Sequence, residues 1–109
     1  MKLPSSIRVG CYDVLVQQMG DKEALAHGVH GHYSSIEHII RINGGLEPIP
    51  MLNTLKHEVM HACYDVGGLT DEDEEERIVT VLANVDTQVL RDNPEYNKFI
   101  QQCIKEGMK

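Results

Sequence analysis

Two histidines four residues apart, His57 and His61, constrain the fold of this chain more than any other feature. They lie in a segment whose apolar residues recur at helical spacing, with Pro50 before it and Gly67-Gly68 after it. Proline in a first turn and glycine after the last turn are typical helix boundaries. Residues four apart share one face of a helix, so both imidazoles can reach one cation.

The second half of the chain has the pattern of about three helices. We predict the first over residues 50–66, the second from Thr70 to the Asn93-Pro94 break, and a short third helix after it. The predicted buried positions of the three helices are Leu52, Leu55, Val59, Ala62 and Val66; Ile78, Leu82, Val85 and Val89; and Phe99, Ile100, Cys103 and Ile104.

The first half is rich in residues that favour strands. Ile7 to Val16 is predicted to be extended, although Gly10 interrupts its alternation. Val29 to Tyr33 and His38 to Ile42 predict a hairpin around residues 34–37. About three strands followed by about three helices predict an α+β fold, with a small antiparallel sheet covered on one face. The length predicts a single domain over residues 1–109.

Composition excludes several classes of protein. The formal charge of -7 and the scattered basic residues argue against a nucleic-acid partner. No segment approaches the roughly 20 apolar residues that cross a bilayer, so no membrane partner is expected. Three widely spaced cysteines favour a reducing, cytoplasmic compartment. Asp71 to Glu76 are six consecutive acids, typical of a solvated helix start, although one of them is a candidate metal ligand.

The motif His57-Glu58-Val59-Met60-His61 has the HExxH spacing of zinc hydrolases. In such a site the two histidines bind Zn²⁺, and the intervening glutamate, here Glu58, is the base that takes a proton from water. Zinc needs a third protein ligand. A third histidine at the extended spacing is excluded, because glycine 67 occupies that position.

A carboxylate from the second helix is the natural third ligand. The chain rises from His61 to Val66 in the first helix and is expected to return over a segment of the same length, Asp71 to Glu76, in the second. Equal helical rise therefore brings Glu76 level with the histidines. Glu75 lies nearer the centre of the apolar stripe, and Glu72 is a weaker candidate near the turn. Periodicity alone does not choose among them. Asp65 is either a partner for a ligand imidazole or a surface acid.

The segments Leu55 to Ala62 and Glu76 to Ala83 resemble the minimal gluzincin domains, which include ImmA/IrrE-type metallopeptidases and small phage-encoded HExxH proteins. In that family the glutamate ligand is followed at three, six and seven positions by apolar or small residues. Val79, Leu82 and Ala83 follow Glu76 in this way. The resemblance covers about residues 29 to 96. It implies a zincin-like fold with the motif on the first major helix and Zn²⁺ held by His57, His61 and Glu76.

Two functions are expected from this reading. The first is a zinc-dependent peptidase that cleaves a peptide or protein lying along the sheet edge near His38 to Ile42. The second is a catalytically silent, zinc-stabilised protein, for example a phage-encoded factor that binds a host protein. Both fit the cytoplasm of a bacterial or phage-infected cell.

Other side chains are candidates for lesser roles. An oxyanion donor can come from the predicted hairpin, and a phenol can come from a tyrosine near the motif. Cys63 is expected to be a small buried hydrophobe that points away from the histidines. The candidates for the oxyanion donor and the phenol are His30, His32 and His38, and Tyr33 and Tyr64.

Overall fold

The computed structural model describes residues 2–20, 22 and 30–108. In this part of the chain four strands precede three helices, which confirms the predicted α+β class with one strand more than expected. Val29, predicted to begin a strand, lies outside the described residues. The elements are β1 (Ser6–Val9), β2 (Tyr12–Met19), β3 (Gly31–Ser34), β4 (Ile39–Asn43), α1 (Pro48–Val66), α2 (Glu75–Asp92) and α3 (Pro94–Gly107).

The extra strand arises at Gly10, which divides the segment predicted as a single extended run. Gly10 has a φ of +59°, a left-handed conformation that favours glycine. A Cβ atom here would also lie 2.6 Å from Val66 Cγ1. The chain therefore turns at Gly10 and Cys11, and β1 and β2 pair antiparallel from Val9 opposite Tyr12.

The sheet has the order β1-β2-β4-β3, and it is mixed rather than wholly antiparallel as predicted. β3 begins beside Ile42 of β4, level with the end of β2, so the β3–β4 hairpin joins the sheet through β4. This places β4 parallel to β2. Because β4 is paired on both sides, the predicted peptide-binding edge near His38 to Ile42 is wrong, and among the described residues β3 forms that edge.

One face of the sheet packs against the helices. Val14 and Val16 are buried on this face, whereas Leu15 between them is 45% exposed on the other. Each buried aliphatic side chain contributes about 1.5–3 kcal/mol to folding. The main cluster contains Ile7, Val9, Val14, Val16, Ile40 and Ile42 from the sheet, Leu55, Val59, Ala62 and Cys63 from α1, and Val89, Tyr96, Phe99 and Cys103 from α2 and α3.

The helix boundaries follow local signals except at the start of α2. α1 begins at Pro48, two residues before the predicted start. α2 begins at Glu75 and not at Thr70, because the residues between them form a turn. The Thr70 N–H donates to Asp73 Oδ2 at 2.7 Å, and the Asp73 N–H donates to the Thr70 carbonyl at 3.1 Å. No helix in the described part of the chain is long and apolar enough to cross a membrane.

Asn93 separates α2 from α3 at the predicted break. Its Oδ1 accepts a hydrogen bond from the Arg8 N–H at 2.7 Å, and its Nδ2 donates to the carbonyls of Arg8 and Val89 at 2.9 and 2.7 Å. The residue is 9% exposed. This side chain therefore ties the end of α2 to β1.

Candidate functional site

The His57 and His61 imidazoles lie one turn apart on the exposed side of α1. The opposite side of the helix is buried through Leu55, Val59 and Ala62, which fixes the direction of the histidines. Their Nε2 atoms are 3.1 Å apart, and the ring planes meet at 71°. Two nitrogen donors therefore converge on one point outside the helix.

The separation of these two nitrogens fits a shared metal ion. Zinc–imidazole bonds of about 2.0–2.1 Å at a tetrahedral angle place two bound nitrogens roughly 3.3–3.4 Å apart. The 3.1 Å between His57 and His61 is close to that value. The same distance also suits a hydrogen bond between one protonated and one unprotonated nitrogen. The pair is thus suited to two ligand positions of a zinc site.

Glu58 lies between the two histidines in sequence, but its side chain is buried and only 6% exposed. It lines a cleft together with both imidazoles. Among the described residues no hydrogen bond or ion pair engages its carboxylate. A carboxylate held this way can take a proton from a water molecule in the cleft.

The cleft lies between α1 and the edge strand β3, and we call it the sheet-side cleft. Its volume is about 480 Å³. The strand contributes His32 and Tyr33, two of the residues predicted as possible contributors to the site. Its lining residues are Gly31, His32, Tyr33, Ser35, His57, Glu58, His61, Tyr64 and Asp65.

Tyr33 joins the edge strand to α1 at this cleft. Its hydroxyl donates to Asp65 Oδ2 at 2.8 Å. Burial, and then this bond to a carboxylate, raise the pKa of Tyr33 well above its usual value. Asp65 is exposed and accepts this hydrogen bond from Tyr33, so the structure pairs it with the strand and not with His57 or His61.

A second opening lies on the other side of the histidine pair, between α1 and α2, and we call it the helix-side groove. Its volume is about 540 Å³. At one end the Tyr64 hydroxyl donates to Asp71 Oδ1 at 3.4 Å. Loss of hydration and the Asp71 carboxylate raise the pKa of Tyr64. The lining residues are His57, Met60, His61, Tyr64, Asp71 and Leu82.

The acids predicted as third ligands lie at the start of α2. Glu75 and Glu76 are exposed in its first turn, and Glu72 is exposed in the preceding turn. Within the described ranges, no third histidine, cysteine or acid completes a metal-binding group with the histidine pair. Residues 71–74 are not helical, so the equal-rise argument for Glu76 loses its premise. Its assignment stays a prediction based on family-like spacing.

Asp71, one of the six consecutive acids among which a metal ligand is expected, lines the helix-side groove with both histidines. The turn that closes through Thr70 and Asp73 brings it back toward α1. No periodicity marks such a position, because the turn is held by side chains and not by a helix. The pairing of Tyr64 with Asp71 is visible only in three dimensions.

The three histidines of the hairpin region have different surroundings. His32 lines the sheet-side cleft. His38 stacks on Tyr12 with ring centroids 4.1 Å apart, and His30 is exposed before β3. His32 is therefore the one of the three that shares the sheet-side cleft with Glu58.

Cys63 is fully buried beside the motif, as predicted for a small hydrophobe. Its burial raises the pKa of the thiol to about 12. A thiol of this kind stays protonated at neutral pH and does not act as a nucleophile or a metal ligand.

Comparisons of the chain with protein-family models, curated proteins and solved structures found no match. The chemistry of the site therefore rests on its own geometry.

Proposed function

We propose that this protein is a zinc-dependent metallopeptidase-like hydrolase in which Glu58 activates water for attack on a peptide carbonyl. One observation carries the proposal. Two imidazole nitrogens 3.1 Å apart lie beside a carboxylate that is 6% exposed and lines the same cleft. Two converging donors and an adjacent base are what metal-assisted hydrolysis requires.

The roles of the residues follow from their chemistry. His57 and His61 would hold zinc through Nε2, and Glu76 is the predicted third ligand. When bound, zinc lowers the pKa of water toward neutrality and polarises a carbonyl. Glu58 accepts the proton of the attacking water and delivers it to the leaving amine nitrogen. His32 is a candidate donor to the developing oxyanion, since it lines the same cleft.

The substrate is a peptide or protein segment in an extended conformation. β3 is an edge strand, and it also forms one wall of the sheet-side cleft. A peptide that pairs with the side of β3 away from β4 would pass next to Glu58 and the histidine pair. We place this reaction in the cytoplasm of a bacterial or phage-infected cell.

Zinc content is the first test. The purified protein should hold about one zinc per chain, and His57→Ala or His61→Ala should lose it, because each removes one of two converging donors. His30→Ala is the matched control, since this exposed histidine lies outside the cleft lining and should leave the zinc content unchanged. Wild-type protein that stays metal-free in zinc-replete medium would refute the proposal.

The second test separates ligand from base. Glu58→Gln should retain zinc and the fold but should no longer hydrolyse proteins in a host-cell lysate, because the amide cannot accept the proton. Equal hydrolysis by both proteins would remove Glu58 from the mechanism. Zinc-dependent stability without any hydrolysis by the wild type would favour the zinc-stabilised binding protein instead.

A further inference from the structure

The helix-side groove adjoins the histidine pair on the side away from β3. His57, His61 and Tyr64 line both this groove and the sheet-side cleft. A peptide that follows β3 and crosses the histidine pair would therefore place a side chain beyond the pair in the groove. The volume of about 540 Å³ is within the roughly 300–1,000 Å³ typical of ligand pockets.

We propose that this groove binds an apolar side chain of the substrate, and that the acids at its rim select a neighbouring lysine or arginine. The inference rests on the proposed function, because the substrate peptide is the one that crosses the histidine pair. It adds the chemical class of the substrate, a peptide with a large apolar residue beside a basic one.

The apolar preference follows from the walls of the groove. Met60 on α1 and Leu82 on α2 face it, and both are only partly buried within the protein. Burying a leucine-sized side chain against them removes apolar surface of both partners from water. The fully buried residue of α2 is Val89, and Leu82 lies closer to the start of this helix. The groove thus has apolar surface that the described fold does not cover.

The basic preference follows from the charge at the rim. Asp71 lines the groove, and Glu72, Glu74 and Glu75 are exposed in the adjoining segment. Asp73 is paired with Arg77 at 2.8 Å, so it adds little to the field. The N-terminus of α2 contributes only about half a positive charge against the remaining carboxylates. The rim therefore stays negative and favours a cationic neighbour to the apolar residue.

Peptide binding to zinc-loaded Glu58→Gln protein tests the apolar part. Four fluorescent peptides of equal length would carry Lys-Leu, Glu-Leu, Lys-Ser or Glu-Ser at the centre. We expect Lys-Leu to bind tightest by anisotropy, and Leu82→Gln to weaken it about 10-fold while changing Lys-Ser little. Val79→Gln is the matched control, because Val79 is 55% exposed on the same helix and is not in the groove lining.

The role of the negative charge beside the groove is tested by adding Asp71→Asn to the zinc-loaded Glu58→Gln protein. It should reduce the preference for Lys-Leu over Glu-Leu about threefold, and added salt should reduce that preference in the parent protein. Glu95→Gln, on α3 and outside the groove lining, should leave it unchanged. Met60→Ala should repeat the effect of Leu82→Gln, which guards against a fold defect in one variant.

Equal affinity for the four peptides, or equal effects of Leu82→Gln and Val79→Gln, would overturn the inference. Zinc content and hydrolysis are measured separately on the wild type. If the protein holds no zinc and hydrolyses nothing, yet groove variants still weaken Lys-Leu, the proposed function fails and the binding groove stands. If zinc and hydrolysis are present but the four peptides bind equally, the proposed function stands and the inference about the groove fails.

Discussion

The two ends of α2 are held in the fold by different means. Near its C-terminal end Val89 is fully buried. There Gln88 accepts a hydrogen bond from the Gly10 N–H at 2.7 Å and donates to the Arg8 carbonyl at 3.1 Å, and Asn93 adds three more bonds. In the N-terminal half Leu82 is half-buried, and the first turn is exposed. The Asp73–Arg77 ion pair there lies on the surface.

This difference separates the anchored part of α2 from the part that borders the helix-side groove. The part-buried hydrogen bonds between Asn93 and Arg8 of β1 contribute about 0.5–1.5 kcal/mol each, whereas an exposed ion pair contributes about 0.2–1 kcal/mol. The end that borders the helix-side groove is therefore the less constrained one. A substrate or a metal ligand placed there can be accommodated without disturbing the anchor at Asn93.

The largest expected effect is at that anchor. Asn93→Ala should lower the free energy of unfolding by about 3 kcal/mol, because it leaves the Arg8 N–H and two carbonyls without their partner. Asn97→Ala is the control, since its Nδ2 donates only to the Leu90 carbonyl in an exposed setting. It should change stability by less than about 1 kcal/mol in urea titrations. Equal losses would contradict the unequal anchoring of α2.

Metal-linked stability tests the less constrained end. With zinc at about 100 times its dissociation constant, the folded state should gain roughly 2.7 kcal/mol. Glu76→Gln should remove most of this gain, and thermal melts with and without chelator should then converge, whereas Glu75→Gln should keep it. If Glu75→Gln loses the metal and Glu76→Gln keeps it, the ligand is Glu75.

Truncations on α2 compare the two ends through packing. Val89→Ala should destabilise the protein by about 2 kcal/mol, because the cavity forms inside the core. Leu82→Ala removes more atoms but should cost about 1 kcal/mol or less, since the side chain is already partly in contact with solvent. Chemical denaturation measures both. A larger loss for Leu82→Ala would show that the groove end is packed at least as tightly as the end that holds Val89.

A pH-dependent effect, absent at neutral pH, concerns Cys63, which lies near Asp86 of α2. Folding raises the pKa of this thiol from 9.0 to about 12, so its contribution to stability is complete below pH 9 and is lost as the pH rises toward 12. Between these limits the slope from this group is at most about 1.4 kcal/mol per pH unit. Cys63→Ala should flatten the alkaline fall in stability, and Cys11→Ala, at an exposed residue, should not.

Local sequence signals were sufficient for several elements of the fold. The hairpin of β3 and β4 lies where turn residues separate two strand-like runs, and α3 starts at Pro94 directly after the predicted break. The spacing of His57 and His61 placed both imidazoles on one side of α1. Such features depend on neighbours within a few residues, so periodicity and turn chemistry predict them.

Features that depend on distant segments did not follow from local patterns. The parallel pairing of β4 with β2 depends on the hairpin joining the sheet through β4, and β3 thereby becomes the edge beside the cleft. The later start of α2 depends on the Asp73 carboxylate folding back on Thr70. Helical spacing alone had extended α2 to Thr70 and supported an equal-rise argument for Glu76 that the turn removes.

The sequence by itself determined that one helix carries two histidines on one face with a glutamate beside them, because residue spacing and helical geometry fix these positions. The tertiary structure alone decided what surrounds them. It buried Glu58 to 6% exposure, set β3 along one side, and placed Leu82 and Asp71 along the other. These neighbours come from segments far apart in the chain, and only packing of the helices against the sheet brings them together.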